Sequence, residues 1–187
     1  MRLNVRVPDF DGDKYQARFD ALAGKGVDVH GEADFVRSFD PRTVLDAGCG
    51  TGRVAIELAR HGIDVVGADM DRSMLAVARE RAPEIEWVEV DLSTMALDRT
   101  FDVVVLAGNV PIFCPEPSRA ALVAASAAHV APGGRLIAGF QLDRGYALGD
   151  WDHDCREAGM SLVDRWSTWD RRPFHTDDTY AVLVHEH

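Results

Sequence analysis

Three glycines at alternate positions mark the segment LDAGCGTGR, residues 45–53. Gly48, Gly50 and Gly52 follow a short apolar run and precede the predicted helix RVAIELARHG. Glycine adopts positive φ and has no side chain that would keep a ligand away from the main chain. A helix that follows such a loop points free N–H groups toward the ligand. The GxGxG spacing therefore predicts a loop that binds a nucleoside-like ligand, with a simple turn as the alternative.

The residue after the glycine loop narrows the ligand class. The dinucleotide fingerprint GxGxxG needs a glycine where this chain has Arg53, because a pyrophosphate lies against the helix N-terminus there. The phosphate-binding P-loop is excluded because no GK[ST] follows. A nicotinamide-dependent oxidoreductase would share the fold type. It predicts a YxxxK pair, which is absent, and both lysines, Lys14 and Lys25, precede the predicted sheet.

Two aspartates end the next apolar runs. Asp69 ends IDVVGAD and Asp91 ends IEWVEVD. A carboxylate at the first position can accept hydrogen bonds from both ribose hydroxyls, each worth about 1.5–3 kcal/mol. The alternative for Asp69 is a helix cap, a role that Asp71 is placed to fill, and we expect Asp69 to have no protein partner. Asp91 or its neighbouring backbone can reach an adenine amino group; its alternative is a turn aspartate.

The elements that must position these residues alternate between strand and helix. Strands are predicted at TVLDAG, IDVVGAD, IEWVEVD, FDVVVLAGNV and RLIAGF, with helices between most of them. Such alternation is typical of an α/β doubly wound parallel sheet, whose ligands bind at the carboxyl ends of the strands. Only nine residues separate Asp91 from Phe101, so we expect a minimal third crossover. The segments SLVDRWSTWD and TYAVLVHE, joined around Pro173, predict an antiparallel terminal pair.

The length of 187 residues favours a single domain, 1–187. Within it we expect an N-terminal helical cap over 1–40 and a catalytic core over 41–187. Apolar spacing between Tyr15 and Phe39 predicts two short helices in the cap, separated by GKGVDVHG.

Composition excludes several function classes. The net charge of −11, with no Lys/Arg-rich run, argues against a nucleic-acid partner. No apolar run approaches the ~20 residues of a membrane span, and the N-terminus has no signal-peptide core. Three scattered cysteines without a CxxC motif predict a reducing, cytoplasmic location. The sequence does not predict an oligomeric state.

The motifs VLDAGCGTGR, VVGADMDRSML, VEVDLSTM and FDVVVLAGN resemble, in order and spacing, those of class I S-adenosylmethionine-dependent methyltransferases. The resemblance runs from about Val44 to the C-terminal hairpin. It implies a seven-stranded, mostly parallel sheet with an antiparallel last strand. It also implies methyl transfer from S-adenosylmethionine, with S-adenosylhomocysteine as product. The compact core, without long insertions, favours a small-molecule acceptor.

The resemblance also assigns cofactor-binding residues along four strand ends. These are Asp46, Gly48, Gly50 and Gly52 at the methionine and ribose parts, Asp69 at the ribose, Met70 at the adenine face, Asp91 and Leu92 at the adenine edge, and Ala107, Gly108 and Asn109 at the methyl-donor pocket.

Catalytic residues are harder to identify, because positioning alone can supply effective molarities of ~10⁵ M or more. Asn109, Tyr15 and His30 are the candidates; a turn asparagine satisfied by backbone is the alternative for Asn109. We expect Phe113 to be core rather than a wall of the acceptor pocket, and Cys114 to be a small buried filler rather than a nucleophile. No metal is expected, since the adjacent ligands of WDHDC diverge on a helix. Without an obligatory catalytic residue, a cofactor-binding sensor that lacks transfer activity remains an alternative.

Overall fold

The computed structural model describes residues 30–187 together with Gly12, Ala17 and Ala21. Tyr15 and most of the first predicted cap helix lie outside the described residues. The division into a cap over 1–40 and a core over 41–187 therefore stays a prediction.

Seven strands form a single sheet. They are β1 Thr43–Ala47, β2 Asp64–Asp69, β3 Glu86–Glu89, β4 Phe101–Leu106, β5 Val130–Gln141, β6 Ser161–Trp166 and β7 Tyr180–Glu186. Their order is β3-β2-β1-β4-β5-β7-β6. The first five pair in parallel, and β7 pairs antiparallel with both β5 and β6. The strand order reverses between β1 and β4, which is where such sheets bind ligands.

Six helices connect or flank the strands within the described residues. They are α1 Gly31–Arg37, α2 Arg53–Arg60, α3 Arg72–Arg81, α4 Val110–Phe113, α5 Arg119–Ala128 and α6 Leu148–Glu157. As the short connection predicts, only a 3₁₀ turn, Leu92–Thr94, stands between β3 and β4. Within the described chain, no helix has both the length and the apolar character needed to cross a membrane.

Local signals account for the helix ends that matter for the site. The side chain of Asp71 accepts hydrogen bonds from the Ser73 and Met74 N–H groups and caps α3, as N-terminal aspartates do. Gly62, at φ +82, follows the end of α2 in the left-handed conformation that glycine adopts without strain.

The core has two apolar layers, one on each face of the sheet. Val103 and Val105 of β4 face a cluster with α1, α2 and α3, whereas Val104 and Leu106 face a cluster with α5 and α6. A strand that is apolar on both faces is typical of the centre of a parallel sheet. The predicted three-layer α/β fold with an antiparallel last strand is confirmed.

Two details differ from the sequence expectations. We expected β5 to span only RLIAGF, but it runs over Val130–Gln141. The preceding turn residues join the strand through an irregular step, because the pairing with β4 shifts between Phe101 and Val103. The helix α4 was not predicted; it begins directly after Asn109, which has φ +70.

Candidate functional site

The glycine loop connects β1 to α2 and is fixed to the end of β2. The N–H groups of Gly48 and Cys49 both donate to the Ala68 carbonyl, at 2.7 and 3.1 Å. Gly48, Gly50 and Gly52 have φ values of +84, +55 and +80. This left-handed run is strained for any residue with a Cβ, so the loop requires its glycines.

The three glycines serve different purposes. A Cβ on Gly48 would lie 2.3 Å from a methyl of Val110, and a Cβ on Gly52 would lie 2.4 Å from the Trp87 ring. These two positions are bare because other parts of the protein pack against them. A Cβ on Gly50 would meet nothing within 4 Å. Gly50 therefore presents open backbone that a ligand can approach.

A crevice opens beside this loop, at the carboxyl ends of β1 and β4. Its lining residues are Asp46, Gly48, Cys49, Gly50, Thr51, Arg53, Val54, Ala107 and Gly108. Five of the residues assigned from the resemblance meet there. They are Asp46, Gly48, Gly50, Ala107 and Gly108. Gly52 does not line the crevice and instead packs against Trp87.

A larger cavity lies at the opposite end of the sheet. It has a volume of about 230 Å³ against about 50 Å³ for the crevice, and its lining includes Phe39, Asp102, Gly133 and Arg135. The larger cavity is therefore not at the end of the sheet where the ligand is expected. We assign the site to the crevice, because doubly wound sheets bind ligands at the carboxyl ends of their strands.

Asp69 connects the crevice to β2. Its Oδ2 accepts the Gly50 N–H at 2.8 Å and its Oδ1 accepts the Asp71 N–H at 2.9 Å. The expectation that Asp69 has no protein partner is therefore wrong. Burial raises the pKa of Asp69, although both hydrogen bonds oppose the rise. A carboxylate has about four lone-pair positions, so the two bonds leave capacity for ligand hydroxyls.

Asp46 is the most buried carboxylate of the crevice, with only 1% exposure. Its Oδ2 accepts the N–H of Ala55, in the first turn of α2, at 3.0 Å. Burial raises its pKa to about 7, while this hydrogen bond and the charge of Arg53 act in the opposite direction. Asp46 thus holds the start of α2 beneath the glycine loop and titrates near neutral pH.

The predicted adenine-side residues lie at the ends of β2 and β3. Oδ1 of Asp91 accepts hydrogen bonds from the Ser93 N–H and hydroxyl, at 2.9 and 2.7 Å. These are the contacts of a turn aspartate, the alternative that the sequence left open, and they leave Oδ2 for a ligand. Met70, which directly follows Asp69, is 51% exposed, and Leu92, after the end of β3, is half-buried, so each offers some apolar surface.

Asn109 fastens the end of β4 to the end of β5. Its Oδ1 accepts the Gln141 N–H at 2.8 Å, and its own N–H donates to the Gly139 carbonyl at 3.2 Å. The alternative of an asparagine satisfied by backbone is therefore confirmed for its side-chain oxygen. Its direct role toward an acceptor stays a prediction that depends on the amide nitrogen.

Arg53 makes a contact that sequence reasoning missed. Its two terminal nitrogens bind the Glu32 carboxylate at 2.9 and 2.6 Å, and both side chains are largely buried, at 14% and 18% exposure. The pair joins α1 to the start of α2. Nearby, Nδ1 of His30 lies 3.7 Å from Glu57, so this candidate faces α2. The sequence carried no signal for the Glu32 pair, because 21 residues separate its members.

The remaining residues singled out from the sequence differ in their burial and contacts. Phe113 is 53% exposed, so the expectation that it belongs to the core is wrong, because α4 projects it from the end of β4. Cys114 is only half-buried. In the WDHDC segment, Cys155 is buried and Asp154 accepts a hydrogen bond from Tyr146. Among the described residues, no cluster of His, Cys, Asp and Glu could hold a metal ion.

Comparison with known proteins gives matches over the same region. Residues 44–134 match a family described as a methyltransferase domain. The chain is 39% identical over 101 residues to a cypemycin N-terminal methyltransferase from Streptomyces sp, a match covering 52% of this chain and 41% of the relative. It is 32% identical over 143 residues to a ubiquinone biosynthesis O-methyltransferase from Acinetobacter baumannii, covering 65% and 59%. The chain thus spans about half of the length of these curated relatives.

The fold also matches solved structures along nearly the whole chain. A TehB-like SAM-dependent methyltransferase from Corynebacterium glutamicum superposes with a TM-score of 0.89 and 35% sequence identity. The match covers 94% of this chain and 97% of that one. It therefore includes the C-terminal hairpin, which lies beyond the residues of the family match.

Proposed function

The chain belongs to the class I S-adenosylmethionine-dependent methyltransferase family, and from this premise we propose that it transfers a methyl group from S-adenosylmethionine to a small-molecule acceptor. The observation that carries the proposal is the 2.8 Å hydrogen bond from the Gly50 N–H to Asp69. It joins open backbone on one strand end to a carboxylate on the next. This is the pairing that a ribose with two hydroxyl donors requires.

The residues of the crevice and of the adjoining ends of β2 and β3 fit this cofactor on four counts. Gly50 and Gly108 have no atom within 4 Å of their Cβ positions, which leaves a cradle for a nucleoside. Asp69 would accept the ribose hydroxyls. Asp91 and Leu92 would meet the adenine edge and Met70 its face. The acidic side chains suit a ligand with a positive sulfur, since opposite charges attract strongly where water is excluded.

S-adenosylmethionine supplies a methyl group on a positively charged sulfur, which is already an electrophile. The task left to the protein is to orient the acceptor and exclude water. Among the described residues that line the crevice there is no histidine or lysine. Burial, with the charges of Asp46 and Asp69, raises the pKa of the Cys49 thiol, so Cys49 is not a thiolate nucleophile. We infer that positioning dominates, with Asn109, His30 and Tyr15 as the proposed acceptor-side residues.

The acceptor is proposed only as a class. The two curated relatives are named for different acceptor atoms, one as an N-terminal and one as an O-methyltransferase, so their names carry no acceptor to this chain. A small molecule is favoured because no long insertion follows β4 or β5. The net charge of −11 disfavours a nucleic acid. A cytoplasmic location is proposed from the three free cysteines.

The test combines binding with turnover. Isothermal titration should show binding of S-adenosylmethionine and S-adenosylhomocysteine and no binding of NAD. Incubation with methyl-labelled S-adenosylmethionine and a panel of amines, phenols, thiols and carboxylates should transfer label to at least one class. Binding of NAD alone would contradict the proposal in favour of an oxidoreductase. Binding without any transfer would instead favour a sensor.

A further inference from the structure

The indole ring of Trp87 lies across β2 at the glycine of that strand. In the parallel pairing of β2 with β3, Trp87 is directly opposite Gly67. A Cβ on Gly67 would lie 2.3 Å from Cζ3 and 2.4 Å from Cε3 of the ring. A glycine inside a strand often marks a place where another group approaches the backbone closely, and here that group is the Trp87 ring.

The far edge of the same ring reaches the glycine loop. A Cβ on Gly52 would lie 2.4 Å from Cη2 of Trp87, although Gly52 stands at the start of α2 and Gly67 lies within β2. One aromatic side chain therefore packs on the loop and on the strand at once. The sequence gave no reason to connect Trp87, from the third strand, with a loop that follows the first.

Contacts with α3 fix the ring in this position. Nε1 of Trp87 donates a buried hydrogen bond of 2.8 Å to the carbonyl of Ala82, at the end of α3. Arg79 of the same helix donates to the Trp87 carbonyl at 3.2 Å. Trp87 is only 9% exposed, so turning the ring away would leave a buried donor and a buried acceptor unpaired, which is costly.

The two segments that Trp87 contacts carry the two ends of one hydrogen bond at the crevice. Gly50 precedes Gly52 by two residues, and Asp69 follows Gly67 by two residues. The Gly50 N–H donates to Oδ2 of Asp69 at 2.8 Å. Trp87 does not line the crevice and belongs to the core layer that holds α2 and α3. Its ring therefore supports this hydrogen bond from the protein side.

We propose that Trp87 is a positioning residue for cofactor binding. Its ring, wedged between Gly52 and Gly67, holds the glycine loop against β2, so that Gly50 and Asp69 keep one fixed separation. The inference rests on the proposed function. A loop that is already held in place loses less conformational freedom when a ligand binds. Trp87 thus raises the affinity for the cofactor through the backbone, without contacting the cofactor.

The test compares two buried tryptophans. Trp87→Phe shortens the ring and leaves a cavity beside Gly52, so S-adenosylhomocysteine binding, measured by titration calorimetry, should weaken about tenfold. Trp151→Phe makes the same change at a side chain with 0% exposure in the opposite core layer. Both variants should lose stability in urea denaturation, but Trp151→Phe should keep its affinity.

Hydrogen exchange of the Gly50 amide tests the same idea without any ligand. The Gly50 N–H is bonded to Asp69, so its exchange reports on how firmly the loop is held. We expect exchange to be at least tenfold faster in Trp87→Phe than in Trp151→Phe.

A double-mutant cycle distinguishes positioning from a general loss of packing. Asp69→Asn removes the carboxylate that the ring helps to place, so adding Trp87→Phe to it should weaken binding little further. If Trp87→Phe folds poorly, Gly67→Ala tests the same contact, because its Cβ would displace the ring; it should also weaken binding and speed Gly50 exchange.

Unchanged affinity in these variants, losses that multiply in the double variant, or equal Gly50 exchange in both tryptophan variants would overturn the positioning role. If the unaltered protein did not bind S-adenosylhomocysteine, the proposed function itself would fail. That result is distinct, because Gly50 exchange would still show whether the ring holds the loop.

Discussion

The two ends of the sheet each carry an aspartate that accepts two backbone N–H groups, yet their electrostatics differ. At the carboxyl end, Asp69 is bonded to Gly50 and Asp71, and burial raises its pKa. At the amino end, Asp102 accepts the N–H groups of Arg42 and Thr43 at 2.8 and 3.0 Å. There the burial cost is outweighed by these hydrogen bonds, which lower the pKa of Asp102.

The opposite pKa shifts of the two aspartates indicate which end of the sheet binds a ligand. The charge of Asp102 is stabilised by the protein alone. The charge of Asp69 is not, because its two donors do not offset the loss of solvent, and hydroxyl donors from a ribose would complete its hydrogen bonding. An open glycine does not by itself distinguish the ends, since Gly133 at the amino end also has φ +76 and no atom within 4 Å of its Cβ position. What distinguishes the carboxyl end is the combination of an open glycine, Gly50, with an aspartate whose pKa is raised, Asp69.

The largest expected effect concerns Asp46, the acid buried beneath the crevice. Its pKa is about 7 in the folded protein against a usual 3.8, so the folded state holds a proton that the unfolded state releases between these values. Stability from this group is therefore present below pH 4 and lost as pH rises through 7. Asp46→Asn should gain stability over the unaltered protein across that window, by at most about 4 kcal/mol. Urea denaturation at pH 5 and pH 8 measures it.

The control for this prediction is Asp102→Asn, whose acid has a lowered pKa. It should lose stability at pH 8 rather than gain it. A loss of stability in Asp46→Asn that is the same at both pH values would show that its carboxylate is not under-stabilised in the folded state.

The next-largest expected effect is the loss of stability when alanine replaces Gly48 rather than Gly133, two glycines with left-handed φ. Gly48→Ala adds a Cβ 2.3 Å from Val110 at φ +84, so strain and overpacking should together cost about 3 kcal/mol of unfolding free energy. Gly133→Ala at the amino end meets open space at φ +76 and should cost about 1 kcal/mol. Chemical denaturation of the two variants tests the difference. Equal losses would mean that α4 does not pack against the glycine loop as described.

A smaller effect in free energy should distinguish Asp69 from Asp102 by their contributions to cofactor binding. Asp69→Asn should weaken S-adenosylhomocysteine more than tenfold, about 1.4 kcal/mol or more, because the variant loses the charge that accepts ribose hydroxyls. Its stability should change little, because removing a charge whose pKa is raised by burial offsets the partner lost by one backbone donor. Asp102→Asn, whose acid has a lowered pKa, should lose about 1 kcal/mol of stability with unchanged affinity. Titration calorimetry measures the affinity of each variant for S-adenosylhomocysteine. Weaker binding in both variants would contradict the proposed difference between the two ends of the sheet.

Features that depend on neighbouring residues were predictable from the sequence. The alternation of apolar strands and helices gave the sheet, and Asp71 was correctly expected to cap α3. The short segment after Asp91 correctly indicated a minimal crossover. Each of these follows from local periodicity, capping or chain length, which a single sequence displays directly.

Contacts between distant residues were not predictable. Asp69 meets Gly50 across 19 residues and Asn109 meets Gln141 across 32, and no local pattern specifies which side chain reaches which backbone group. The role of Gly139 was equally hidden, because its need for glycine comes from Trp169 and Tyr180 on another strand. The sequence placed the candidate residues at the carboxyl edge of the sheet, whereas tertiary packing decided which of them have protein partners.

The most direct test is a crystal structure of the protein with S-adenosylhomocysteine. The account predicts the nucleoside in the crevice beside Gly50, with the ribose hydroxyls on Asp69. Density for the ligand in the amino-end cavity beside Asp102, or a crevice filled by the protein's own side chains at saturating ligand, would contradict it.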